Sequence, residues 1–179
     1  LRRASPREAV RRALGPDRRR ATIGALADLG RRHGDGATWF VKPGRWAPED
    51  APVDLAAEAG RVRALPGEVG WHPGYGAHAS RERLAAEAGA FVGAVGHAPV
   101  LARTHFLRWA EPDTPRLLAD AGVRLDSTLG WADAPGFRRG TAHPFRLFDL
   151  DAGRPTGLWE MPLAVMDTTL TTYQQLGAD

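Results

Sequence analysis

The sequence predicts an α/β fold organised on a parallel sheet, and three features carry that expectation. Compact apolar runs recur at residues 37–41, 69–71, 100–102 and 123–125. Between them lie stretches with the helical spacing of apolar residues, marked out by capping residues, glycine or proline. No internal repeat of fixed period and no low-complexity linker divides the chain. Strands alternating with helices imply parallel βαβ units, closed as a barrel or left open as a doubly wound sheet.

Taken in order, Ser5-Pro6-Arg7-Glu8 carries a capping box with proline at the first helical position. Ile23, Leu26 and Leu29 share one face of a second helix that ends at Gly34. The run 37–41 fits a buried parallel strand, followed by a proline- and tryptophan-rich loop over 42–52. Asp54 can cap a helix over 55–64, which Pro66-Gly67 breaks. Ser80 can cap the next, whose inner face runs through Leu84, Glu87, Phe91 and Val95. A helix over 113–121 is closed by Gly122. The last third loses the alternation: a long loop over 131–143 precedes expected strands at 145–148 and 158–165.

The 179 residues suffice for one domain with a real core, and no apolar run approaches the ~20 residues of a membrane helix. The chain opens without methionine or signal peptide and reads as an internal piece of something longer, which leaves its compartment open. Cysteine is absent, so disulfides, thiolate metal sites and a cysteine nucleophile are excluded. The net charge is +3, and Lys42 is the only lysine. Residues 1–32 hold ten arginines against Glu8, Asp17 and Asp28. With no aromatic platform or reading helix beside them, these arginines read as a solvated helix face and not as a nucleic-acid site.

Chemistry gathers where strands end. His72 follows the strand 69–71 and leads into Gly74, Tyr75, Gly76 and His78, the glycines suggesting a loop with positive φ. Arg103, His105 and Arg108 follow the strand 100–102, and Asp126-Ser127-Thr128 follows 123–125. Charged and imidazole groups are costly to bury unpaired, so such a set either pairs internally or serves a site. In sheets of this class, ligands bind beyond the carboxyl ends of the strands.

These pieces, with Leu158-Trp159-Glu160-Met161-Pro162 after them, resemble the polysaccharide deacetylase family (carbohydrate esterase family 4) in a divergent form, and run in that family's order from residue 37 onward. The resemblance implies a distorted (β/α) barrel, incomplete at both ends here, over residues 37–179, with residues 1–36 as a basic helical segment packed on it. It also implies a hydrolase that uses a divalent metal, most often zinc, to remove N- or O-acetyl groups from a glycan. His72 falls on the first histidine of the metal motif; the position four residues on is Gly76, and His78 is the nearby substitute. Arg103 matches the arginine that orients the catalytic carboxylate, and Asp126 the aspartate that lines the groove and tunes the acid. His105 stands where the family has proline, so its role is open. Tyr75, Arg108 and Trp131 are expected in the groove, with core or lid packing the other reading of Trp131, and a backbone N–H near Tyr75 at the developing oxyanion.

The family's aspartate pair before the strand 37–41 and its final strand-end histidine have no counterpart here. Asp167 is a strand-end carboxylate that reads more simply as a turn residue. Two functional readings follow: an acetyl-glycan hydrolase acting on amide or ester bonds, and a catalytically inactive barrel that binds glycan or a partner protein.

Overall fold

The computed structural model describes residues 18–34, 37–50, 55–65 and 67–176. The capping box at residues 5–8 and the aspartates at 17, 35 and 54 lie outside these. Two compact units are formed, one from the described residues up to Ala37 together with Gly67 and Glu68, the other from Thr38–Leu65 and Val69 onward. The first unit contributes helix α1 (Arg18–Arg32), with Asp28 paired to Arg31 one turn on. Among the described residues no helix is long and apolar enough to cross a membrane.

Six strands form one sheet: β1 (Thr38–Val41), β2 (Glu68–Trp71), β3 (Leu101–Ala102), β4 (Leu125–Asp126), β5 (Phe145–Asp149) and β6 (Arg154–Glu160). Their order is β1-β2-β3-β4-β6-β5, with β2, β3, β4 and β6 parallel and β5 antiparallel to β6. The expected parallel α/β sheet is therefore present, as an open row among the described residues. The final strand departs from expectation: it begins at Arg154, not residue 158, and stops at Glu160. Pro155 sits in the ladder opposite Phe148, and Pro162, which has no N–H to donate, follows the strand's end.

Helices α2 (Leu55–Arg63), α3 (Arg81–Val95) and α4 (Asp113–Asp120) connect the strands. Ser80 caps α3 as expected, its hydroxyl accepting the Arg83 N–H at 3.3 Å. Leu84, Phe91, Ala94 and Val95 bury that helix's inner face, and Glu87 is buried among them. Gly122 closes α4 at φ +93°, a left-handed position that glycine adopts without penalty. The core comprises Trp71, Leu84, Phe91, Leu118, Val123, Leu129 and Leu158, all but fully buried. Arg116 of α4 holds Asp149 with two bonds of 2.5 and 2.6 Å, tying the helix to the β5–β6 hairpin.

Register aligns the strand ends. Trp71 faces Ala102, Ala102 faces Asp126, and Asp126 faces Glu160, and all four are inaccessible to solvent. The row is packed tightly at its β1 side. A Cβ on Gly70 would lie 2.8 Å from two atoms of the Phe40 ring and 3.2 Å from Leu101 Cβ. The Phe40 ring is itself held beneath the Arg103 guanidinium, 4.6 Å from its centroid. Gly70→Ala is accordingly expected to cost about 1–3 kcal/mol, the usual range for overpacking. Urea unfolding would measure it, and an unchanged midpoint would mean that Phe40 can yield freely.

Candidate functional site

The site is built where β2 and β3 end. The Arg103 N–H donates to Trp71 O at 3.0 Å and the His105 N–H to Pro73 O at 3.0 Å, so the two chains leave the sheet bonded to each other. The His72 N–H donates to Val41 O at 2.8 Å, adding the end of β1. These bonds bring His72 and His105, thirty-three positions apart, to 3.1 Å between His72 Nε2 and His105 Nδ1. The rings meet edge to face, 5.1 Å between centroids. The other nitrogen of His72, Nδ1, lies 2.5 Å from Arg103 O. A carbonyl only accepts, so Nδ1 carries the proton and the Nε2 lone pair of the neutral ring faces His105. Burial, followed by the charge of His105, pushes the His72 pKa down to about 4, leaving it neutral at pH 7. His105 is lowered too, by burial and then Lys42, against the opposing pull of Asp50.

Behind His105 stands Asp50, its side chain fully buried, with Oδ1 3.8 Å from His105 Nε2. Asp50 organises the proline-rich loop. Its Oδ1 accepts from Lys42 Nζ at 2.7 Å and Tyr75 N at 3.1 Å. Its Oδ2 accepts from Trp46 N at 3.1 Å and Ala47 N at 3.0 Å. Burial alone would raise the Asp50 pKa, but the Lys42 ammonium and these N–H groups outweigh it and hold the carboxylate below its usual range. The Tyr75 N–H is thus already taken, which corrects the expectation that a backbone donor there awaits an oxyanion.

Gly74 is wedged between two carboxyl groups. A Cβ on it would lie 2.9 Å from both Asp50 Oδ2 and Glu87 Oε1. Neither Gly74 nor Gly76 takes positive φ, so what position 74 requires is space, not the left-handed backbone expected of it. Glu87 Oε2 accepts the Gly74 N–H at 2.6 Å, while Oε1 is buried with no donor among the described residues. Burial, with a smaller push from Asp50, raises the Glu87 pKa to about 7.

The remaining residues separate into two groups. Arg103 turns toward β4, donating from Nε to Ser127 O at 2.9 Å and from Nη2 to Ser127 Oγ at 2.8 Å. Asp126 is fully buried and accepts from Thr128 N at 2.8 Å and Thr128 Oγ1 at 2.9 Å. It therefore cannot line a groove, as the sequence suggested, and instead faces Glu160 across the ladder. Glu160 Oε1 accepts from Leu129 N at 2.9 Å, and Oε2 has no donor among the described residues. Burial, then the Asp126 charge, drives the Glu160 pKa well up, toward the neutral acid.

The second group lies toward solvent. The Arg108 guanidinium sits 4.2 Å over the Tyr75 ring and presents its Nε 3.3 Å from His78 Nδ1. The structure thus joins His72 to His105 and His78 to Arg108. Phe106, at φ +57° and exposed, stands against His105 and Tyr75. Trp131 is exposed, with Arg138 5.5 Å over its ring. Asp167 is exposed and, contrary to the turn reading, opens a short helical segment, its carboxylate accepting its neighbour's N–H. Sequence reasoning missed Lys42, Asp50, Glu87 and Glu160 as members of these networks. The single lysine and a glutamate on an apolar helix face were the available signals. Among the described residues no three His, Asp or Glu side chains cluster closely enough to hold a metal ion between them.

No protein-family model and no curated protein sequence matches the chain. A solved structure does: a protein from Mycobacterium smegmatis described as a "putative polysaccharide deacetylase". The chain shares its fold. The TM-score is 0.56 at 20% identity, over 79% of this chain and 45% of that one, so the chain spans less than half of its neighbour's length.

The Glu87 carboxyl yields a prediction with a definite sign. Its native pKa, about 7, lies above the ordinary 4.5, so the folded state holds a proton that the unfolded chain has released. Stability therefore falls as pH rises from 4.5 to 7, by up to roughly 3 kcal/mol, and levels off above that. Glu87→Gln keeps the acceptor for Gly74 and adds a permanent donor. Its stability relative to wild type, from denaturant unfolding at pH 4.5, 6 and 8, should climb across that window. A constant difference would mean that Glu87 is ionised in the folded protein.

Proposed function

We propose that the chain is the core of a metal-assisted hydrolase that removes acetyl groups from a glycan. The observation that carries this reading is the deacetylase-type fold with His72 and Arg103 side by side at the ends of two parallel strands. His72 offers one imidazole of the kind that binds a divalent metal. The ring is neutral, its outer nitrogen is fixed by a carbonyl, and its inner lone pair is aimed into the site, the usual arrangement of a metal-binding imidazole. When bound, such an ion polarises the acyl oxygen and acidifies a water molecule. Zinc suits a histidine-based set.

The chain's own side chains supply positioning. Arg103 binds Ser127 and packs on Phe40, so it fixes the end of β4 against β1. Asp126 and Glu160, the latter pushed toward its neutral acid, hold that strand end from beneath without placing a net charge of two in the interior. Tyr75 and Phe106, joined edge to face at 5.6 Å, present apolar faces of the kind that stack on sugar rings. Arg108 over Tyr75 offers donors beside them.

The test is acetate release from N-acetylated chito-oligosaccharides and acetylated xylan by the zinc- or cobalt-loaded protein. Release should stop with a chelator and with His72→Ala. Arg103→Ala should lower kcat by roughly 100-fold, the cost of misplacing a reacting group, and change KM much less. Equal losses in both would remove the positioning role. Glycan binding without release would instead identify a binding module, the competing reading.

A further inference from the structure

We propose that Arg108 is the recognition point for an anionic group on the glycan, a uronate carboxylate or a sugar phosphate, beside a platform formed by the exposed Phe106. The proposal rests on the glycan reading above and deepens it by naming the substrate class, an acidic sugar.

Arg108 carries a charge that the fold does not neutralise. Arg81, Arg116 and Arg139 are each paired to a carboxylate. Arg108 is held by rings instead. Its guanidinium carbon lies 4.2 Å over the Tyr75 ring, its Nε is 3.3 Å from His78 Nδ1 and its Nη2 is 3.4 Å from His78 Nε2. A cation thus faces both nitrogens of His78, which corrects the expectation of a metal ligand there. Glu111, three positions on, is engaged by Trp109 Nε1 at 3.2 Å and by Arg139. Among the described residues no carboxylate pairs with Arg108. A neutral imidazole accepts at one nitrogen only, so His78 satisfies one of the five N–H donors. The planar fork that remains matches the paired oxygens of a carboxylate or phosphate.

The turn that carries Arg108 holds a backbone shape its residues do not favour. Phe106 and Leu107 sit at φ +57° and +52°, in the left-handed region that residues other than glycine rarely enter. The Leu107 N–H donates to Thr104 O at 3.1 Å and the Arg108 N–H to His105 O at 3.3 Å, while Thr104 Oγ1 donates to Arg108 O at 2.6 Å. Held in this way, the turn buries Leu107 and directs Phe106 outward, 60% exposed. Strain of this kind gathers at binding and catalytic sites. Phe106 meets Tyr75 edge to face at 5.6 Å, so the guanidinium stands within about 10 Å of the Phe106 ring. An apolar face and an unneutralised fork at that spacing suit a sugar ring with a charge at its rim. The ring lies on the aromatic face and its anion meets Arg108. A neutral sugar would use the platform alone and leave the charge unmatched, so the pair discriminates as well as binds.

The experiment is calorimetric titration of the full chain with oligogalacturonate and with its methyl ester, which keeps the backbone and removes the charge. Mannose 6-phosphate against mannose repeats the comparison for phosphate. In at least one pair the charged member should bind roughly 10- to 100-fold more tightly, the range of one charge-assisted contact, and high salt should narrow that margin. Which pair shows it tells a uronate from a sugar phosphate. Arg108→Gln, checked for folding by circular dichroism, should bind charged and neutral members alike. Arg108→Lys should keep part of the preference, and Phe106→Ala should weaken both members. If wild type shows no preference in either pair yet binds neutral glycans, the anion assignment falls while the glycan reading stands. If folded Arg108→Gln keeps the preference, another group reads the charge; if it loses the neutral member equally, Arg108 only braces Tyr75. Either result overturns the proposal. If neither these ligands nor N-acetylated chito-oligosaccharides bind, the glycan reading fails and the proposal with it.

Discussion

The parallel register of β2, β3, β4 and β6 is the constraint on which the rest depends. It sets Trp71, Ala102, Asp126 and Glu160 in one buried row. Each chain leaves the sheet one residue later, and His72, Arg103 and Ser127 follow. Once that row is fixed, backbone bonds from Arg103 to Trp71 and from His105 to Pro73 leave the two loops little freedom. The imidazole pair is then a consequence of sheet geometry, since it unites residues far apart in sequence through strands adjacent in space.

Buried carboxyl groups lie within this row and beside it, and they are handled differently. Asp50 is ionised and saturated by one ammonium and three backbone N–H groups. Glu87 and Glu160 have an unpartnered oxygen each and are pushed toward the neutral acid. Ionised groups in an interior need several charge-assisted bonds, whereas a protonated acid needs one acceptor. Keeping Asp50 charged and the adjoining Glu87 neutral leaves Lys42 matched one to one.

Much of the fold was legible because each strand is a short apolar run punctuated by glycine or proline, and Ser80 and Gly122 act where their chemistry says they should. The last strand was not: expected over 158–165, it runs from Arg154 to Glu160 with Pro155 and Gly157 inside it, held there by pairing with β5. At the candidate site, the placement of His72 and Arg103 directly after β2 and β3 was legible from the sequence. The partner of His72 could not: His78 was near in sequence, and nothing local shows that strand pairing brings His105 closer. Asp50 read as a loop residue and Glu87 as one more position on a helix face. Their roles come from what packs against them, which a linear pattern does not encode.

The hydroxyl groups beyond the row carry a further consequence. The Thr104 N–H donates to Thr128 Oγ1 at 2.9 Å, that hydroxyl donates to Asp126, and Thr104 Oγ1 donates to Arg108 O at 2.6 Å. The first bond crosses from the loop after β3 to the loop after β4, while the other two brace each loop from within. In deuterium exchange the amides of Thr104, Thr128 and Leu129 would behave as a single cooperative unit with one protection factor. Two threonines thus tie the loop after β3 to the loop after β4, so the opening of one is coupled to the opening of the other.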